Sequence, residues 1–335
     1  MSEIHRVIAV TESSQTLAAR MVAHELAGRL GFDDTDIHRA GLVATEMATN
    51  LLKHAPLGGE ILIRRVDPDR LELELLAIDR GPGIADLSAS FVDGHSTAGS
   101  PGTGLGAIRR LSDEFDVFSK QPGGTVLFSR LRGRTSRHAP PRGFEIGLIA
   151  VAKAGEDVSG DGWHVAGGPA ATTMLLADGL GHGIGAADAA NAAVQAFLRF
   201  ANATPSEALA AVNDGLSHTR GAAAAVVSLS VSPRIVKFAG VGNISATITV
   251  NGTVRHTVTH NGTLGHGARI FREYSYPWEK DAIFVMHSDG LSSHWSLDAY
   301  PGLRMRHPTV IAAVLYRDFS RQRDDVTVVV VREAA

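Results

Sequence analysis

Apolar residues recur at helical spacing through DIHRAGLVATEMATNLL, residues 36–52, and Asp36 stands where a helix N-cap belongs. The period then drops to two. Residues 60–66 and LELELLAI, 71–78, alternate as half-buried strands do. A helix follows at 104–112 and two more strands at 114–119 and 124–131, giving a helix-covered sheet of mixed order. Beyond residue 143 the pattern restarts. Strands are expected at 145–153 and 172–177, and helices at 185–200 and 205–217, the second capped by Thr204 with Pro205 in its first position. Strands at 222–231, 234–240, 244–250 and 281–287, a helix at 308–319 and a strand at 326–332 complete the chain. Strand runs interleaved with paired helices predict a sheet sandwich flanked by helices.

Between the two patterns lies LRGRTSRHAPPRG, residues 131–143, which is basic, holds adjacent prolines and has no apolar period. It divides the 335 residues into an N-terminal domain, 1–131, a linker, 132–142, and a C-terminal domain, 143–335. Two domains suit this length. A hydrophobic fraction of 44% fills two cores, and a formal net charge of −3 gives no electrostatic case for nucleic acid or an anionic membrane. No apolar run approaches the ~20 residues of a membrane span, and the first residues lack a signal-peptide pattern. The absence of cysteine excludes disulfides and thiolate metal sites. A cytoplasmic protein is the expectation.

Two glycine-rich stretches carry the candidate chemistry. In GTGLGAI, 102–108, the glycines open a helix, which suits an anion at the exposed N–H groups. Upstream, Glu46 and Asn50 are four apart on one helix face. A carboxylate there can take a proton from an attacking hydroxyl, and an amide oxygen can ligate Mg²⁺. Asp79, in DRGPG, follows a strand and can accept a hydrogen bond from an adenine amino group. Taken singly, a polar helix face, a turn and a glycine loop are common features. In ADGLGHGIG, 177–185, by contrast, Asp178 stands before the first glycine. Asp178, Asp289 and the pair Asp324–Asp325 sit at apolar strand boundaries, and Asp161 sits in a glycine turn. Carboxylates gathered on one rim repel unless a cation neutralises them, and an oxygen-only ligand set points to Mg²⁺ or Mn²⁺. Two such ions could hold a water as hydroxide for attack on phosphate.

The order EMATNLLKHA, DRGPG, GTGLG and Gly123-Gly124-Thr125, over about residues 5–131, resembles the GHKL ATPase superfamily, and most of all the RsbT-like anti-sigma-factor serine kinases. The resemblance implies a Bergerat-type α/β sandwich binding ATP and Mg²⁺. Glu46 would be the base toward a partner's serine and Asn50 the Mg²⁺ ligand. Asp79 would read adenine with support from Thr125. Gly83, Gly102, Thr103, Gly104, Leu105 and Gly106 would shape the nucleotide pocket, with a short lid at 84–101. Lys53 and His54 are expected to be pocket-edge or structural rather than catalytic. The order GD, DGxGxG, SDG and DDxTxxV over about 143–333 resembles the PPM-type phosphatases in their SpoIIE- and RsbX-like form, to which GVGNI, 240–244, and HNGTLGH, 260–266, add detail.

That second resemblance implies an αββα sandwich holding two Mn²⁺ or Mg²⁺. Asp178 would bridge them, the Gly179 carbonyl and Asp161 would serve one, and Asp289 and Asp324 the other, with Asp325 an alternative to Asp324. No arginine stands at a matched position for phosphate capture. His182, His260 and His266 are expected to pack or hydrogen-bond rather than to transfer protons. Together the resemblances imply an α/β (α+β) switch protein, kinase and phosphatase in one chain. It would act on a STAS-domain antagonist or stressosome scaffold, with a downstream PPM phosphatase or sigma-factor regulator as a further partner and a homodimer as one arrangement. The alternative is a phosphatase whose N-terminal domain only senses ATP or sequesters a partner.

Overall fold

The computed structural model describes residues 2–67, 71–87, 104–134, 143–168 and 170–334. The chain divides into two compact units that are nearly, but not wholly, its two sequence halves. One holds His5–Ala139 and Tyr300–Arg317, the other Met1–Ile4, Pro140–Ala299 and Asp318–Ala335. Of the segment expected to link them, residues 135–142 lie outside the described residues.

In the first unit β1 (Arg6–Val10), α1 (Ser14–Leu30), α2 (Asp34–His54), β2 (Gly59–Asp67), β3 (Glu72–Asp79), α3 (Gly104–Leu111), β4 (Glu114–Lys120) and β5 (Gly124–Arg132) form one sheet under helices. Its order is β1-β2-β3-β5-β4, and every pairing is antiparallel. The N-cap of α2 is Asp33, not Asp36: the Asp33 side chain accepts from the Asp36 N–H at 2.8 Å. Asp36 is buried instead and accepts the backbone N–H of Arg134 at 2.9 Å. Helix α1 and strand β1, which have no place in the sequence expectation, are present; α1 alternates too weakly between apolar and polar positions to announce a face.

Period-two alternation sorts β3. Leu73, Leu75 and Ala77 join the core beneath α1 and α2. Glu74, Leu76 and Ile78 point the other way, yet all three are buried. That second face is covered by residues 300–317, which include most of α6 (Pro308–Phe319). His307 stacks on Phe128 with ring centroids 4.4 Å apart, and the Tyr316 hydroxyl donates to Glu60 at 3.4 Å.

Glu74 is wholly buried at the centre of this face. Burial alone would raise its pKa. The Arg64 guanidinium at 3.0 Å and that of Arg130 at 2.8 Å instead hold it well below the usual carboxylate range. The Thr309 hydroxyl donates to the same carboxylate at 3.2 Å. Removing one partner of a buried ion network strands the others. Glu74→Ala is therefore expected to cost ~3–5 kcal/mol, seen as a lower urea midpoint. A midpoint shift within ±0.5 kcal/mol of wild type, the range of ordinary surface changes, would contradict it.

The second unit is a sandwich of two antiparallel sheets. Its elements are β6 (Phe144–Val151), β7 (Asp161–Gly167), β8 (Ala171–Gly179), α4 (Ile184–Arg199), α5 (Pro205–Gly215), β9 (Ala222–Val231), β10 (Arg234–Val241), β11 (Ser245–Val250), β12 (Thr253–His256), β13 (Tyr274–Pro277), β14 (Ile283–His287) and β15 (Val326–Glu333). The sheet orders are β13-β10-β9-β8-β7 and β12-β11-β14-β15-β6. In β8, Met174 and Leu176 face the opposite sheet, while Leu175 and Ala177 pack under Ala193 and Phe197 of α4. Alanine dominates that contact, which lets α4 lie close to the strand ends. Helix α5 has the expected cap at Thr204, completed by Glu207 as a capping box. Among the described residues no helix is long and apolar enough to cross a membrane.

Candidate functional sites

In the first unit the expected residues gather around the last two turns of α2. Glu46 and Asn50 share one face of that helix and are both half-buried. Helix α3 starts against Asn50: a Cβ on Gly104 would lie 2.8 Å from Asn50 Oδ1. Asn50 Nδ2 is buried and has no hydrogen-bond partner among the described residues. The turn after β3 packs on the end of the same helix, since a Cβ on Gly81 would meet Ala55 at 3.3 Å. Asp79 is held within that turn. Its Oδ1 accepts from the Gly81 N–H at 2.7 Å and the Thr125 N–H at 3.3 Å. Burial pushes the Asp79 pKa up, against those two N–H donors and the nearby Arg317 and His54.

Thr125 reaches Asp79 because Gly124 has φ 83°; a Cβ there would fall 2.0 Å from the Asp79 carbonyl oxygen. The Thr125 and Ser119 hydroxyls hydrogen-bond at 3.0 Å, and Ser119 also accepts from the Ile84 N–H at 2.7 Å. Ser119 is thus a supporting residue with no signal in the sequence. Gly83 is left-handed and abuts the Lys120 carbonyl, Leu105 packs on the core and Gly106 is buried within α3. Lys53 and His54 are exposed. Gly102, Thr103 and most of the expected lid lie outside the described residues. The orphaned Asn50 N–H donor facing a side-chain-free helix start fits a nucleotide oxygen, and Asn50 Oδ1 at the same helix start fits a Mg²⁺ ligand.

In the second unit β7 and β8 pair so that Asp161 stands directly opposite Asp178. Like charges at such positions destabilise a sheet. Burial, followed by the charges of Asp161, Asp289, Asp324 and Asp325, pushes the Asp178 carboxyl up to about 9. Asp161 is pushed up to about 7, chiefly by burial. Its Oδ2 accepts from the Ser288 hydroxyl at 2.7 Å, while Oδ1 is buried with no partner. Asp178, Asp289 and Asp324 line a cavity of about 180 Å³ together with His182 and Asn243. Asn243 Nδ2 donates to Asp289 at 2.7 Å and so aims that acid. Among the described residues no three acidic or imidazole side chains already close around one ion. Asp178, Asp289 and Asp324 line a shared space, and the opposed placement of Asp161 and Asp178, the raised pKa values of those two and the orphaned oxygen of Asp161 fit divalent cations as the missing neutralising charge.

The adjacent acids Asp324 and Asp325 separate cleanly. Asp325 is buried, and its two oxygens accept the backbone N–H groups of Lys153 and Gly160, each at 2.9 Å. It anchors the β6–β7 loop, and Asp324 is the one that lines the cavity. Gly179 ends β8, its N–H bonded to the Gly160 carbonyl at 3.0 Å. His182 Nδ1 lies 2.9 Å from Glu156 Oε1 at the cavity edge. His260 meets the Tyr274 hydroxyl at 3.0 Å and His266 the Thr219 carbonyl at 3.0 Å, both away from the acids' cavity.

Residues 10–130 match the family model of the histidine kinase-like ATPase domain, and residues 168–333 match that of stage II sporulation protein E (SpoIIE). The serine/threonine-protein kinase RsbT of Bacillus subtilis (strain 168) is 36% identical over 111 residues, which are 33% of this chain and 84% of that kinase. A solved structure described as the bacterial stressosome, a modular system adapted to control secondary messenger signalling, is 26% identical. It covers 56% of this chain and 99% of its own, with a TM-score of 0.53. RsbX in complex with magnesium is 19% identical, covers 59% of this chain and 99% of its own, and has a TM-score of 0.50, a likeness of fold.

Proposed function

This chain belongs to the RsbT family of histidine kinase-like ATPase domains and carries a SpoIIE-type PPM phosphatase domain on the same polypeptide; from that premise we propose that it phosphorylates and dephosphorylates the serine or threonine of a STAS-domain partner. The observation that carries this reading is that one chain combines the Glu46–Asn50–Asp79 constellation with the opposed acids Asp161 and Asp178. Each is the equipment for one direction of phosphoryl transfer.

In the kinase direction Asp79 would accept a hydrogen bond from the adenine amino group, and Asn50 would offer an oxygen to Mg²⁺. Gly104 and Gly106 let the backbone approach the phosphates, with Gly102 and Thr103 before them. Glu46 takes the proton of the partner's hydroxyl as that oxygen attacks the γ-phosphate, and ADP leaves. In the phosphatase direction Asp178, the Gly179 carbonyl, Asp161, Asp289 and Asp324 would hold two Mn²⁺ or Mg²⁺ ions. When bound, such ions would activate water toward the phosphate at neutral pH. Asn243 keeps Asp289 turned toward the cavity, and Ser288 fixes one oxygen of Asp161 so that the other is free to ligate.

Joining the activities in one chain keeps each near a shared partner, an effective-concentration advantage set by the connecting segment. The partner is a cytoplasmic anti-sigma-factor antagonist or stressosome scaffold, with a sigma-factor regulator or a second phosphatase downstream. The test is a pulse and chase. The full chain is incubated with γ-labelled ATP, Mg²⁺ and candidate STAS proteins, then chased with unlabelled ATP and Mn²⁺. Label is expected on a STAS serine or threonine and then in free phosphate. No transfer to any candidate, with intact hydrolysis of phosphorylated STAS protein, would instead favour an ATP-sensing or sequestering N-terminal domain.

A further inference from the structure

The acids of the second unit do not line their cavity alone. Lys153 and Arg323 also contribute to its wall. Lys153 comes from just beyond β6, and Arg323 from the turn before β15, so they reach the cavity from two separate segments. Both segments are fixed. The Lys153 N–H donates to Asp325 at 2.9 Å. The turn carrying Arg323 is tied down by the Arg321 N–H on the Gly290 carbonyl at 2.9 Å and by the Gln322 N–H on the Ser320 hydroxyl at 3.3 Å.

Charge accounting shows what these cations are for. Asp161, Asp178, Asp289 and Asp324 carry four negative charges when ionised, and two divalent ions would cancel them. Asp325 is satisfied by backbone N–H donors. The neutralised cluster has little long-range attraction for a phosphomonoester dianion, which needs two further positive charges. Lys153 and Arg323 are two cations on the same cavity, and neither side chain forms an ion pair among the described residues. An arginine fork suits two phosphate oxygens at once, and a lysine acts as a compact point charge.

We propose that Lys153 and Arg323 are the phosphate-binding pair of this site, supplying substrate recognition that no arginine at a matched sequence position provides. The proposal rests on the phosphatase reading of the second unit. It assigns the two residues to ground-state capture of the phosphoryl group and not to holding metal or activating water.

The test uses the full chain loaded with Mn²⁺, with inorganic phosphate as a calorimetric titrant and a phosphoserine peptide as substrate. Lys153→Gln and Arg323→Gln are each expected to weaken phosphate binding and raise KM by roughly tenfold or more, the scale of one lost charge-assisted hydrogen bond. The kcat should stay within about threefold, because removing ground-state binding leaves it largely unchanged. Arg323→Lys should recover part of the loss. Mn²⁺ affinity should match wild type in all variants. If the double variant keeps wild-type phosphate affinity and KM, or loses Mn²⁺ affinity instead, the pair does not bind phosphate. If the wild-type chain itself neither binds Mn²⁺ nor hydrolyses the peptide, the phosphatase reading fails and takes the pair with it.

Discussion

Asp178→Asn abolishes Mn²⁺-dependent hydrolysis of a phosphoserine substrate while the protein stays folded. Asp178 faces Asp161 across the β7–β8 pair and lines the cavity with Asp289 and Asp324, so it is the one acid placed between the others. An amide keeps the shape but removes the charge that draws two cations together. The expected loss is ~10³-fold or more, about 4 kcal/mol of barrier at 1.36 kcal/mol per decade. Full activity in the variant would sink the two-metal assignment.

Stability supplies a second readout. The Asp178 pKa is raised from the ordinary value to about 9 in the folded chain. The folded state therefore holds a proton that the unfolded state has lost across the interval between those values. Without metal, the wild type loses stability as pH rises through that window. Asparagine has no such penalty. Metal-free Asp178→Asn should melt above wild type at pH 8, and the gain should shrink at pH 5. A variant less stable than wild type at pH 8 would mean that the carboxylate is satisfied by the protein itself and is not waiting for a cation.

Glu46→Gln is the counterpart in the first unit. It should lower phosphotransfer to a STAS partner by ~10²–10⁴-fold, the usual contribution of a positioned general base. ATP affinity should hold, because the proposed adenine contact is Asp79, which the Gly81 and Thr125 N–H groups hold on a different element from Glu46. Fluorescent-nucleotide titration separates the two effects. Transfer at the wild-type rate would remove Glu46 as the base, and loss of ATP binding would make it a nucleotide ligand instead.

Much of this was legible in the sequence because the chemistry sits at boundaries the sequence marks. Asp79, Asp178 and Asp289 each stand at the end of an apolar strand and within two residues of a glycine, so strand periodicity and turn composition locate them together. The cap at Thr204 is equally local. The misplaced cap of α2 shows the limit: Asp33 and Asp36 have the same chemistry, and only the buried contact of Asp36 with Arg134 tells them apart. The same holds for Asp324 and Asp325. Both lie in the segment just before β15, and which of the two meets the β6–β7 loop is not written in their spacing.

By itself the sequence determined the two sheet-and-helix patterns, the break near residue 140 and the motif order that identifies a kinase-type and a phosphatase-type domain. These depend on period, turn residues and local spacing. Only the tertiary structure decided that Asp161 faces Asp178, that Asn243 and Ser288 aim the acids, and that Lys153 and Arg323 share their cavity. It also decided that residues 300–317 cover the face of the first sheet on which Glu74 is buried. The physical reason is the same in each case. Those contacts join residues far apart along the chain, and their energy comes from excluding water and pairing charge across elements, which no local pattern records.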